Sequence, residues 1–417
     1  MTSANTSVEA LAEAFGTPLY RYDLRELDVA HERLTRALPG PHTLYYSLKA
    51  NPHPRIAERL HRLGCRAEVT SESELETALA AGCPPAHCMV GGPGKTPALL
   101  DHVLAHGVRD FSAESHGDLH RIGAAAGRAG TTARCLLRIN PDHTSSAQAA
   151  LTMAGLSSQF GVDAATVRAD PGHYTRVPNA QLTGLHLYMG TGLDTTEALL
   201  TQFETALTTA ATLAELGLPL ERLNLGGGFG APYARAAVPS DFPGLRPQLA
   251  ALLDEFTPGW TEGSPEIVFE SGRYLTAPCG TLACSVVDTK TSQGTTYVIL
   301  DAGINQLGGT ARARHPPVPI EAHPLAPSPT PPTECRLVGP LCSPLDTWHE
   351  ALPLQLPTPG DLFTVPNVGA YGLTAALIGF LGHRPAAEIC VDGDTVVSAT
   401  RLRLQRSPLA PRARSPY

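Results

Sequence analysis

The chain has 417 residues, 31 basic against 39 acidic side chains, a net charge of −8 and 42% hydrophobic residues. This is enough apolar material for two cores of ordinary domain size and excludes a single small module. The acidic balance leaves no basic field for a phosphate backbone or an anionic membrane, so neither nucleic-acid nor membrane partners are expected.

No stretch approaches the ~20 apolar residues that span a bilayer, and the opening MTSANTSVEALAEAFGTPLY lacks a basic region followed by an apolar core, so a cytoplasmic protein is expected. The nine cysteines (65, 83, 88, 135, 279, 284, 335, 342 and 390) are odd in number, include no C-x-x-C and sit mostly in apolar runs, as reduced thiols do. Neither Cys83/Cys88 nor Cys279/Cys284 is matched by a second Cys or His pair at finger spacing, so no metal is expected.

From about residue 42 to 272, short β-rich runs alternate with Ala/Leu/Glu-rich stretches of helical period. In chain order the runs are HTLYYS (42–47), RAEVTS (66–71), CMVGG (88–92), DFSAES (110–115), ARCLLRIN (133–140), LTGLHLYMG (182–190), RLNLGGG (222–228) and EIVFESG (266–272). Eight such runs predict an α/β protein with a (β/α)8 TIM-type barrel over residues 27–272, rather than an open doubly wound sheet, whose dinucleotide fingerprint is missing. Beyond 272, TLACSVVDTK, TYVILDAG and AEICVDGDTVVSATRLRL suit antiparallel strands and predict a mostly β domain over 273–417, with residues 1–26 contributing. HPPVPIEAHPLAPSPTPP (315–332) excludes helix and central strand and reads as a long surface loop or a disordered insert.

Lysine occurs only at 49, 95 and 290; the other 28 basic residues are arginine. Lys49, in YYSLKANP, follows the first barrel run, and catalytic groups of such barrels stand at the C-terminal ends of strands. An amine there can form a Schiff base with an aldehyde cofactor, although a surface lysine at a strand end fits equally well. Gly226, Gly227 and Gly228 end the seventh run; they can cradle an anion through backbone N–H groups or simply make a tight turn. Glu270 and Arg273, in ESGR after the eighth, could hold a pyridine nitrogen protonated and bind phosphate, or form a rim ion pair. GGPGKT misses the Walker pattern at Met89, which leaves Lys95 as a loop residue near the third strand, and no G-x-S-x-G is present.

Together these motifs resemble the fold-type III pyridoxal-phosphate decarboxylases, the group of diaminopimelate, ornithine and arginine decarboxylases, through nearly the whole chain. The resemblance implies that Lys49 in YSLKAN carries the cofactor, pyridoxal 5'-phosphate, with Glu68 (before SESEL) and Arg138 (in LRIN) beside it. GLHLYMGT resembles the strand with the ring-stacking side chain and a phosphate-binding hydroxyl, implying His186, Tyr188 and Thr191. Gly226, Gly227, Gly228, Glu270, Gly272 and Arg273 would supply phosphate and pyridine contacts, with Tyr371 of NVGAYG also reaching the phosphate. GPLCSPLD is similar to the segment whose cysteine, here Cys342, reprotonates the product, and in that family this segment enters the neighbouring subunit's site. The resemblance therefore implies a homodimer with shared active sites.

Three departures bear on the substrate. Tyr188 stands where the family has a stacking histidine, and Ser343 follows the cysteine where the lysine- and ornithine-forming relatives have an acid that grips the distal ammonium. Around DAGINQLGGTARARHPP only Arg312 and Arg314 are near the place of the distal-carboxylate contacts. Arg273, Arg312, Ser343 and Tyr371 are the candidate substrate contacts. GPLCSPLD, LYMGT and SSQFGVD look closer to the branch that decarboxylates modified or carrier-bound amino acids in natural-product and siderophore pathways. The expected function is such a decarboxylase, the alternatives being diaminopimelate decarboxylase of lysine biosynthesis, an amino-acid racemase, or a non-enzymatic cofactor-carrying protein.

Overall fold

Eight parallel strands close into a barrel in the computed structural model, which describes residues 6–142, 151–152, 158–308, 320–326 and 331–408. Strand β1 (Leu19–Asp23) precedes them and lies in another sheet. The barrel strands are β2 (Thr43–Ser47), β3 (Arg66–Val69), β4 (Cys88–Val90), β5 (Asp110–Ala113), β6 (Ala133–Asn140), β7 (Ala180–Leu187), β8 (Arg222–Asn224) and β9 (Glu266–Ser271). Each pairs in parallel with the next, and β9 returns to β2 through Val268↔Thr43 to Ser271↔Tyr46. All eight segments coincide with the β-rich runs of the sequence. Side chains such as Tyr45, Met89, Leu136 and Val268 fill the inside.

The turns that follow the strands also begin helices, and the sequence specifies those starts with side-chain caps. Ser71 accepts from Glu74 N at 3.2 Å while the Glu74 carboxylate accepts from Thr70 N at 2.6 Å, so SESEL is the reciprocal N-terminal cap of the helix Glu72–Ala80. Ser115 and Thr195 cap His116–Arg128 and Thr196–Glu215, their hydroxyls accepting from Asp118 N and Ala198 N. At the opposite end of the barrel, Asp110 binds Arg134 and Arg222, and Glu266 binds Arg66 and Arg222, which ties five strand starts together by charge.

A second, mostly antiparallel sheet contains β10 (Gly280–Ser292), β11 (Thr295–Leu300), β12 (Pro332–Val338), β13 (Thr347–Gln355), β14 (Leu362–Val365), β15 (Ala387–Asp392) and β16 (Thr395–Arg401). β1 sits between β10 and β15, pairing antiparallel with the first and parallel with the second. In the described part of the proline-rich segment, Ile320 N donates to Trp348 O and His323–Pro324 pairs with β14 at a sheet edge, where a missing N–H is tolerated. The sheet touches the barrel beside the Lys49 segment: Tyr371 N donates to Ala50 O at 2.7 Å and Asn51 Nδ2 to Gly369 O at 2.8 Å.

Within the second sheet, Glu388 on β15 is buried against Tyr22, whose hydroxyl donates to it at 3.3 Å. Burial pushes its carboxyl up to about 7 from an ordinary 4.5, the Tyr22 hydrogen bond working weakly the other way. The folded chain therefore holds a proton that the unfolded chain releases, and stability should fall as pH rises from 4.5 to 7. Glu388→Gln removes that slope. Its thermal midpoint should rise at pH 8, by roughly 3 kcal/mol of stability, and stay near wild type at pH 5, as calorimetry at the two pH values would show.

Candidate active site

The C-terminal strand ends surround an open cavity of about 360 Å³, lined by Lys49, Glu68, Thr70, Met89, Gly91, Gly92, Pro93, Gly94, Ser112, Arg138, Phe160, His186, Tyr188, Thr191, Glu270, Arg273 and Tyr371. Lys49 rides on a single 3-10 turn after β2, and its side chain is 45% exposed over its length while its ammonium lies 3.0 Å from the buried carboxylate of Glu68. Burial works to lower the proton affinity of Lys49, but the negative charges of Glu68 and Glu270 outweigh it, and the group is held well above the ordinary lysine value. Burial likewise pushes Glu68 up, yet Lys49, a Ser47 hydrogen bond and Arg138 bring it below the usual carboxylate value.

Glu270 titrates up to about 7, chiefly through burial and then through repulsion from Glu68, while Asn224 Nδ2 donates to it at 2.7 Å. His186 Nδ1 meets Ser112 Oγ at 2.7 Å, and burial, followed by the positive charges of Arg138, Lys49 and Lys95, holds the ring neutral. Its Nε2, 3.5 Å from Glu270 and without a hydrogen-bond partner among the described residues, is therefore a polar atom of the site rather than half of an ion pair. At the other end of the cavity the Arg273 guanidinium lies over the Tyr371 ring at 4.7 Å, and Tyr371 itself has a positive φ of 53°.

Nine of the sequence-derived candidates thus share one cavity: Lys49, Glu68, Arg138, His186, Tyr188, Thr191, Glu270, Arg273 and Tyr371. The glycines stand behind them. Gly226 and Gly228 have positive φ, and a Cβ at Gly227 would meet Glu270 O at 2.1 Å, so the triplet is required by strand packing as well as by any anion. The Gly226 N–H is already taken by Asn224 Oδ1, and a Cβ at Gly272 would lie 2.7 Å from Ala50 Cβ.

Cys342 and Ser343 are elsewhere in the same chain. They belong to the loop between β12 and β13, where Cys342 is exposed and Ser343 lines a separate groove with Lys290, Tyr297 and Arg336. Arg312 and Arg314 lie outside the described residues. Lys95 does lie on the loop after the third barrel strand, and its ammonium is buried there, 2.8 Å from Asp118 and 2.6 Å from Gly92 O. Sequence reasoning missed Ser112, Asn224, Phe160 and the Gly91–Gly94 wall. The first two lie on strand ends, where the barrel rule could have found them; Phe160, on a loop, carries no comparable signal.

The pyridoxal-binding domain model of the pyridoxal-dependent decarboxylases matches residues 24–277, which takes in every barrel strand. The chain belongs to this family. It is 31% identical over 398 residues to L-glutamyl-[BtrI acyl-carrier protein] decarboxylase of Niallia circulans, covering 93% of this chain and 92% of that one. It is 31% identical over 387 residues to diaminopimelate decarboxylase of Neisseria meningitidis, covering 92% of each. Among solved structures, diaminopimelate decarboxylase from Helicobacter pylori complexed with L-lysine superposes with a TM-score of 0.81 at 25% identity over 94% of this chain and 95% of that one.

The chain is accordingly a pyridoxal-phosphate-dependent amino-acid decarboxylase. The cavity fits that cofactor on its own chemistry. It offers an amine for the aldehyde, a carboxyl poised near neutrality for a pyridine nitrogen, a buried imidazole nitrogen without a partner, and Arg273 with the Thr191 hydroxyl for a phosphate.

Proposed function

We propose that this decarboxylase acts on an α-amino acid whose distal end is neutral or acylated, as on a carrier-protein thioester in a biosynthetic pathway, and that it works in the cytoplasm as a homodimer. One observation carries the reading. Among the described residues lining the cavity, the only carboxylates are Glu68 and Glu270, and both are engaged at the barrel mouth by Lys49 and Asn224. Pro93 and Phe160 on the cavity wall and Met89 at its buried floor are apolar, and Ser343, which would come from a second copy, brings no charge. A distal ammonium there would be desolvated without a partner, at a cost of several kcal/mol. The Niallia circulans relative, which acts on a carrier-bound glutamyl group, supports the same class.

In this reading the Lys49 amine would hold the cofactor aldehyde. The Tyr188 face would hold the ring, and Thr191, Arg273 and Tyr371, with the Gly227–Gly228 backbone behind them, would take the phosphate charge. Glu270, near neutrality in its proton affinity, shares a proton with the pyridine nitrogen, and neutral His186 packs beside it. Pyridoxal phosphate, when bound, supplies the sink for the electron pair left on Cα as carbon dioxide departs. Cys342 of a second copy donates the proton to Cα. Reduced thiols at all nine cysteines agree with a reducing compartment.

The test is carbon dioxide release from free diaminopimelate, ornithine and lysine against neutral, acylated and carrier-bound amino acids. The acylated class should win by at least about 100-fold in kcat/KM, and Ser343→Asp should shift preference toward distal amines by about 10-fold. Wild-type preference for diaminopimelate would sink the reading in favour of lysine biosynthesis.

A further inference from the structure

Glu114 does not line the cavity, yet its carboxylate joins two groups that do. One oxygen accepts from Arg138 Nη1 at 2.9 Å and the other from the backbone of Gly161 at 2.8 Å. Both side chains of the ion pair are buried, Arg138 to 9% and Glu114 to 5% exposure. The guanidinium so held lies 4.7 Å from the Phe160 ring and 5.8 Å from that of Tyr188. Glu114 is itself fixed from behind: its N–H donates to Asp118 Oδ2 at 3.1 Å, the same oxygen that binds Lys95 at 2.8 Å. Lys95 in turn holds Gly92 O, in the glycine wall across the cavity, and Arg121 takes the other Asp118 oxygen at 2.9 Å. The lysine of GGPGKT is thus one end of a brace that runs under the site to Arg138.

We propose that Glu114 is a positioning residue for decarboxylation. It supplies the counter-charge that keeps Arg138 aimed along the cavity edge, and through Gly161 it seats Phe160 as a wall. Without that counter-charge the guanidinium would turn to the carboxylates already within its field, Glu68 and Glu270, whose proton affinities Arg138 lowers. The inference rests on the assignment of Arg138 to the cofactor.

The experiment compares Glu114→Gln, Glu114→Asp, Arg138→Gln and the double variant Glu114→Gln/Arg138→Gln. It reads pyridoxal-phosphate affinity by fluorescence titration, the pH midpoint of the bound cofactor's absorbance, and thermal stability. Glu114→Gln and Arg138→Gln should each weaken cofactor binding about tenfold, and the double variant no more than the weaker single, because one acts through the other. The absorbance midpoint of Glu114→Gln should fall by about half a pH unit as Arg138 swings toward Glu270. Glu114→Asp keeps the charge but not the reach to Gly161, so it should bind cofactor within about twofold of wild type while raising substrate KM through Phe160. It also serves if Glu114→Gln does not fold, since tenfold weaker cofactor binding at unchanged KM would contradict the proposal. Losses that multiply in the double variant, or a Glu114→Gln protein that is less stable but has wild-type affinity and midpoint, would overturn it. No effect of Arg138→Gln would overturn it together with the assignment of Arg138, whereas an effect confined to Arg138→Gln overturns Glu114 alone.

Discussion

Lys49→Ala should leave a folded protein that no longer holds pyridoxal phosphate covalently and whose kcat is lower by about 10⁴-fold or more, since both the anchoring amine and a positioned proton carrier are lost. The chain offers no substitute. Lys95 is buried and committed to Asp118, and Lys290 lies on β10 in the other sheet, away from the cavity. Lys49 stands inside it, protonated by the pull of Glu68 and Glu270, so attachment of the cofactor aldehyde requires the ammonium to give up a proton, with Glu68 at 3.0 Å as the nearest base. Joining the amine to the aldehyde would release one water. Removing Lys49 also leaves Glu68 and Glu270 to repel each other without the charge between them, so Glu270 should titrate higher still. Because the lysine is 45% exposed, the cost to stability should be modest. Borohydride reduction followed by peptide mapping checks the assignment; a tag on Lys95 or Lys290 would refute it.

The barrel was legible because eight short β-rich runs alternate with stretches of helical period, the pattern that repeated βα units produce. Lys49 and Glu270 were legible because such barrels place chemistry at strand ends, whereas Glu68, Arg138 and His186 were reached through the resemblance to the decarboxylase family, and all five stand in the cavity. What sequence could not show is long-range pairing. Glu114 and Gly161 are 47 positions apart and Lys95 and Asp118 are 23 apart, and nothing in GGPGKT or DFSAES announces that these residues meet in a buried brace. The glycine triplet is instructive in another way. Its absence of side chains suggested an anion cradle, but the carbonyl of Glu270 against Gly227 is itself a sufficient reason for glycine there.

A 1:1 mixture of Lys49→Ala and Cys342→Ala subunits should recover about a quarter of wild-type activity, although each variant alone is nearly inactive. The argument begins with placement. Cys342 is the one exposed cysteine among the described residues, and it is absent from the cavity that contains Lys49. Its loop is nevertheless firmly presented: the Asp346 carboxylate accepts from Leu341 N at 2.9 Å and from Ile304 N at 2.7 Å, and glycines at 303 and 339 leave room for that carboxylate where a Cβ would clash. A rigid loop that holds a thiol in solvent, away from its own chain's site, suits donation to a second copy. As a positioned proton donor, Cys342 should contribute about 10²–10⁴-fold to kcat, so Cys342→Ala alone should lose that much. In a heterodimer, one site combines the Lys49 of the Cys342→Ala subunit with the Cys342 of the Lys49→Ala subunit and is whole, while the other site has neither. Half of randomly exchanged dimers are of this kind, each with one of two sites restored, which gives the expected fraction. If subunit exchange is demonstrated and the mixture stays inactive, the thiol and the amine do not meet across an interface.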